Sequence, residues 1–237
     1  MNEGMGRFAA RVTARKLNRR KMFLRVAIVV ALIAVTLLAL FYGLSVFVNK
    51  AGNFTVMVPE EFAGSLSLCN TADFSKPTTV IQADVVPEMT NITKAWLPEN
   101  LHEVDGAHNG EDYIAHTFYV KNIGVDEIDY QAEIIIESAA LGADEAVRVM
   151  IIRNGVETVY AKPQKGSTQP EPDATKNFAS ASRVMSEPIG GFAPGKTDKY
   201  TVVIWLEGND PECVDDIKGG EVKMSMNLRV TGTKTPV

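Results

Sequence analysis

The stretch EVKMSMNLRV, Glu221 to Val230, sets Val222, Met224, Met226, Leu228 and Val230 in alternation with Glu221, Lys223, Ser225, Asn227 and Arg229. A period of two belongs to an extended strand with one buried face, because successive side chains leave a pleated backbone on opposite sides. Upstream, Ile128, Tyr130, Ala132, Ile134 and Ile136 alternate in the same way with Asp129, Gln131, Glu133 and Glu137, and only Ile135 interrupts them. Tyr113 to Lys121 (YIAHTFYVK) and Tyr200 to Leu206 (YTVVIWL) are apolar on both parities, the pattern of central strands covered on two faces.

Between AVRVMIIR and VETVYAK lies Asn154-Gly155, a pair suited to the type I′ turn whose twist matches that of paired strands. A two-residue turn there sets Ile151 beside Thr158 and Val149 beside Tyr160. Shorter strands are expected at Phe54–Val58, Ser65–Cys69, Thr79–Ala83 and Ala181–Met185. So many short strands predict an all-β domain, a β-sandwich of jelly-roll or Ig-like type, over residues 49–237. Asp210-Pro211-Glu212 followed by Gly219-Gly220 predicts about two helical turns across Pro211–Lys218. Lys162–Thr175, with three prolines and no large apolar residue, reads as an exposed loop, and Ala95–Gly110 as a second irregular excursion.

Charge is unevenly placed along the 237 residues. Residues 1–25 hold eight basic residues against one acid, whereas the remainder holds sixteen basic against twenty-eight acidic. Between them Val26 to Val48 (VAIVVALIAVTLLALFYGLSVFV) carries no charge. As a helix this segment would extend roughly 34 Å, enough to cross a hydrocarbon core of about 30 Å. The expected organisation is a basic cytoplasmic tail (1–25), a transmembrane signal-anchor helix (26–48) and an extracellular domain, with the lipid bilayer as partner and the N-terminus held inside by its positive charge. The alternative is secretion after cleavage of a signal peptide, whose apolar core is usually shorter. An acidic outer part argues against nucleic acid as a partner, since phosphate neutralisation needs a basic face.

Chemistry-bearing residues are sparse. His102 and His108 stand six apart across an Asp105-Gly106 turn rather than four apart on one helical face, so zinc-type ligation would require loop geometry and an acid such as Asp112. Glu207, Asp210 and Asp215 crowd the segment after the Trp205 strand, together with Glu212 and Asp216, and supply the hard oxygens that Ca²⁺ takes, without EF-hand spacing. No phosphate-binding glycine loop and no nucleophile elbow is present, so no catalytic residue is assigned and no enzyme is expected. Cys69 and Cys213 both fall on the oxidising side of the expected membrane and are candidates for a disulfide or for two packed thiols. Phe54, Val56 and Val58 form an uncharged strand close behind the apolar segment, a candidate for pairing with its own domain or with another copy.

Val120-Lys121-Asn122-Ile123-Gly124 leading to Asp129-Tyr130 resembles the strand, Asn-x-Gly turn and strand of TasA/camelysin-like secreted surface proteins of Gram-positive bacteria. The closing TVVIWLEGNDPECVDDIKGGEVKMSMNLRV is similar to the strand-turn-strand of membrane-anchored surface proteins of those bacteria. This resemblance implies a jelly-roll-like sandwich and a structural or adhesive role in surface or matrix assembly through protein contacts, self-association included. A carbohydrate or wall-polymer binding module is the alternative, needing Trp96 or tyrosines along one groove, and a metal-dependent hydrolase would need His102 and His108 to converge with a carboxylate. The end TGTKTPV carries no LPxTG-like signal, which leaves the N-terminal segment as the expected anchor.

Overall fold

The computed structural model describes residues 22–23, 25–39, 54–84, 86 and 88–234. The chain divides into two compact units, residues 1–50 and 51–237.

In the first unit, residues 25–39 are helical. Apolar side chains project all round this helix, Val26, Ile28, Val29, Leu32, Ile33, Leu37 and Leu38 each being exposed. Thr36, the one polar residue after Arg25, returns its hydroxyl proton to the carbonyls of Leu32 and Ile33 at 3.0 and 2.9 Å, and so hides the group within the helix. No helix among the described residues is long and apolar enough to cross a membrane. The expected span reaches Val48, and its last nine residues, like the tail through residue 21, lie outside the described residues.

The second unit is built from twelve strands among the described residues. They are β1 (Phe54–Met57), β2 (Leu66–Cys69), β3 (Val80–Gln82), β4 (Gly106–Ala107), β5 (Tyr113–Asn122), β6 (Glu127–Ala139), β7 (Val147–Arg153), β8 (Val156–Ala161), β9 (Lys176–Asn177), β10 (Arg183–Phe192), β11 (Thr197–Leu206) and β12 (Val222–Lys234). One sheet runs β10-β6-β12-β1-β3; the other runs β2-β5-β11-β7-β8-β9, with β4 also on β5. Val56, Ile134, Met226 and Leu228 from the first sheet share one core with Leu66, Phe118, Val149 and Val202 from the second. The all-β expectation holds, and the alternating positions of β6 and β12 are the ones that enter this core.

Both parities of β5, β7 and β11 are apolar because the second sheet is covered twice. Its inner face meets the shared core, while Ala115, Met150, Ile152, Val203 and Trp205 on its outer face pack under Ile92 and Leu101. Residues 90–107, which hold most of the excursion expected at Ala95–Gly110, therefore form a lid on this face, pinned where Ile92 N donates to Leu206 O at 2.9 Å and Lys94 N to Glu207 Oε2 at 3.0 Å. The Asn154-Gly155 hairpin has the expected register, Val149 opposite Tyr160 and Ile151 opposite Thr158. Positive φ at both residues, 51° and 83°, is the type I′ geometry that asparagine and glycine tolerate.

Two expectations are corrected, and of the two pairings open to the first strand the one within its own domain is found. No α-helix forms over residues 211–218, only a 3₁₀ turn at Asp215–Ile217, because Asp210 receives Glu212 N at 2.8 Å in a local turn while its carboxylate reaches Arg148. The tenth strand continues past Met185 to Phe192, passing a bulge between Ile189 and Phe192 that takes up Gly190 and Gly191. The candidate strand-pairing segment Phe54, Val56 and Val58 is buried in its own domain, with β1 parallel to β12 on one side and antiparallel to β3 on the other. Neither edge of β1 is left for a second copy.

Candidate binding cleft

Where β10 ends the first sheet, the second sheet continues outward through β7, β8 and β9, leaving a cleft of about 350 Å³ between them. Alternation places Val156, Thr158 and Tyr160 of β8 on its wall, facing Met185, Glu187 and Ile189 of β10. Tyr200 of β11 forms part of the floor, and Arg153 and Lys176 bring two cations to the wall. Lys176 Nζ and the Tyr160 hydroxyl both donate to Glu187 Oε1, at 2.7 and 3.1 Å, a bridge that ties the edge of one sheet to the other. Burial raises the Tyr160 pKa first of all, with the Glu187 charge adding to it, so this hydroxyl stays a donor at neutral pH.

Beneath the cleft lies a closed polar network. The Tyr130 hydroxyl donates to Asp198 Oδ2 at 2.6 Å, and Arg153 donates to the same oxygen from Nε at 3.2 Å and Nη2 at 2.7 Å. Asn154 Nδ2 donates to Oδ1 at 2.8 Å. With the Tyr130 proton committed to Asp198, its oxygen takes the Tyr200 hydroxyl proton across 2.9 Å. Burial opposes the charge on Asp198, yet the hydrogen bonds from Tyr130, Asn154 and Arg153 outweigh it and hold the carboxyl below the ordinary aspartate range. The cleft is thus a preformed seat: an anionic carboxylate with its acceptor sites filled, two shielded tyrosines, and a wall of aliphatic side chains interrupted by paired charges.

The residues singled out from sequence lie elsewhere. Glu207 Oε2 accepts from the Trp205 indole and from Lys94 N, each at 3.0 Å, which occupies it with structure. Asp215 is exposed and paired with Lys218 at 2.8 Å, so Glu207, Asp210 and Asp215 do not converge as a cation site. His108 Nδ1 donates to Gly106 O at 2.8 Å, and Asp112 is turned to Thr90, accepting from its amide and hydroxyl at 2.7 and 2.8 Å. Among the described residues, the mutually close set of three candidate ligands contains no histidine, so His102 and His108 do not form the loop-borne metal site. Cys69 and Cys213 are free thiols. Cys69 lies opposite Tyr119 in β5, six positions along from the Tyr113 that faces Trp205, whereas Cys213 follows the far end of β11. Trp205 is wholly buried, while Trp96 on the lid is 72% exposed.

Sequence reasoning did not find the cleft, whose polar residues come from β7, β8, β9, β10 and β11 and from the Asn154 turn. The one local signal was Asn154, which closes the hairpin and also reaches Asp198 and, through Oδ1, Lys199 N at 2.9 Å.

No family model and no curated protein matches this chain. Among solved structures, it aligns with a beta-glucosidase from Kluyveromyces marxianus in complex with glucose at 9% identity and a TM-score of 0.24. The alignment covers 68% of this chain and 15% of that one, a likeness too low to carry fold or function.

Proposed function

We propose that this chain is a single-pass cell-surface protein of a Gram-positive bacterium, whose jelly-roll-like β-sandwich is displayed outside and acts through protein contacts in surface or matrix assembly. The observation that carries the contact role is the preformed cleft between β8 and β10. At about 350 Å³ it is at the small end of ligand sites. That size suits a side chain or loop tip of a partner protein better than a long polymer. Strand addition through β1 or β10 is not the mode of contact, because β1 is paired on both sides and β10, the free edge beside the cleft, carries Pro188 and a bulge that blunt it. Anchoring is supported by the basic flank before Val26 and by a helix that is apolar on every face, a surface that water does not favour and lipid does.

The test is adhesion of liposomes carrying the full chain to a surface coated with extracellular matrix protein from the same cells. Thr158→Arg, which fills the cleft from its wall, should abolish adhesion while the circular dichroism spectrum is kept. Adhesion unaffected by that change would overturn the cleft as the contact site. The wall-polymer reading keeps one supporting observation, the exposure of Trp96; it predicts that wall saccharide fragments quench tryptophan fluorescence in the native chain and not in Trp96→Ala.

A further inference from the structure

At the end of the second sheet remote from the hairpin, Arg148 at the start of β7 is 1% exposed. Asp173 from the loop between β8 and β9 takes its Nε at 3.0 and 3.2 Å and its Nη2 at 3.1 Å, neutralising the guanidinium through a forked contact. Asp210 Oδ2, from the segment after β11, stands 2.7 Å from Nη1 but accepts no hydrogen bond there; the pair is held by charge rather than along a bonding axis. Glu171 is also drawn inward, and this part of the proline-rich loop is not exposed as the sequence suggests. Its side chain is 6% exposed, and it meets the guanidinium only at long range, 3.9 Å to Nη2. Glu212 completes the group.

One guanidinium thus faces three carboxylates, with Glu212 close to two of them and Lys165 the further cation that acts on Glu212. One oxygen each from Glu171, Asp210 and Glu212 lie within 4.8 Å of one another. Two oxygens on a common Ca²⁺, each at 2.3–2.6 Å, can stand no more than about 5 Å apart, so the three pairwise separations are compatible with a shared ion. Burial raises the Glu171 pKa, and the neighbouring Asp210 charge raises it further, the mark of a negative charge with too little compensation.

We propose that Glu171, Asp210 and Glu212 bind a hard divalent cation of the Ca²⁺ class, which joins the β8–β9 loop to the segment after β11. The buried Oδ2 of Asp210, which finds no hydrogen-bond partner among the described residues, is the observation that distinguishes this cluster from an ordinary acidic surface. Ca²⁺ suits it better than Mg²⁺, because Ca²⁺ accepts 6–8 irregularly placed oxygens and water can supply the rest, whereas Mg²⁺ demands near-octahedral geometry. An affinity in the range of extracellular modules, about 10⁻⁴–10⁻³ M, would keep the site filled outside a cell.

Thermal unfolding and calorimetric titration of the full chain in detergent test this with CaCl₂, MgCl₂ or EDTA. Ca²⁺ should raise the melting temperature and give a saturable heat of binding; Mg²⁺ should do so at least tenfold more weakly. The double variant Glu171→Gln/Glu212→Gln should fold in EDTA at least as stably as the native chain, because repulsion is relieved, and should lose the response to Ca²⁺. A native chain without a Ca²⁺ response, or an equal response in the folded double variant, would overturn the proposal. If the double variant does not fold, the native titration decides alone: saturable heat with one ion per chain supports the site, and its absence overturns it.

Discussion

Tyr130 and Asp198, 68 positions apart and carried by different sheets, share a 2.6 Å hydrogen bond through the interior of the domain. Each is fully buried. The bond ties β6 to β11 and joins the tyrosine pair to the carboxylate that also receives Arg153 and Asn154.

Removing the donor while keeping the ring isolates this bond. Tyr130→Phe should cost about 1.5–3 kcal/mol, the range for a hydrogen bond to a charged group. Urea unfolding of the native chain and variant in the same detergent measures it. A loss below about 0.5 kcal/mol would mean that Arg153 and Asn154 satisfy Asp198 without Tyr130.

Acid should weaken the same network. Because the folded-state pKa of Asp198 lies below the ordinary value of 3.8, its contribution is present above that value and is lost as pH falls toward the lowered one. Asp198→Asn should therefore be less stable at pH 7 and lose less stability between pH 4 and pH 2, as read by denaturant midpoints.

His116 gives a second and separate pH window. Burial lowers its pKa to about 4, with the nearby His108 charge acting in the same direction and Asp84 opposing it. The unfolded chain takes a proton near pH 6.5 that the folded chain refuses until about pH 4, so stability falls as pH falls through that window. At 1.36 kcal/mol per pKa unit this single group accounts for at most about 3.4 kcal/mol of that fall. His116→Gln should flatten the slope between pH 6.5 and 4, and an unchanged slope would assign the effect to other groups.

The buried first strand predicts failure of folding rather than of assembly. Val56 is 1% exposed between β12 and β3, so Val56→Lys would bury a charge without a partner. The variant should lose cooperative unfolding, and the native chain should show no concentration-dependent oligomer built through β1. Urea unfolding checks the first, and sedimentation across a hundredfold concentration range the second.

Legibility in the sequence followed the range of the interactions. The hairpin at Asn154-Gly155 and the alternation of β6 and β12 are local patterns, and both appear with the expected register or face. The later part of β10 was hidden by Pro188, Gly190 and Gly191, which normally mark a break but here sit on a sheet edge where pairing is needed on one side only. Asp210 looked like a helix N-cap because its neighbours fit one; Arg148, 62 positions earlier, claims its carboxylate instead. The cleft and the carboxylate group draw on segments far apart in the chain, and no spacing rule in one sequence brings Glu187 to Tyr160 or Glu171 to Asp210.

Surface display is tested most directly by thiol labelling of intact cells. Val125, between β5 and β6, is 83% exposed, and Val125→Cys combined with Cys213→Ser provides an open thiol on the β domain. A membrane-impermeant maleimide should label this protein on intact wall-stripped cells, and the labelled chain should remain with the membrane fraction at full length. Labelling only after lysis, or recovery of the chain in the soluble fraction, would contradict a domain displayed outside on an N-terminal anchor.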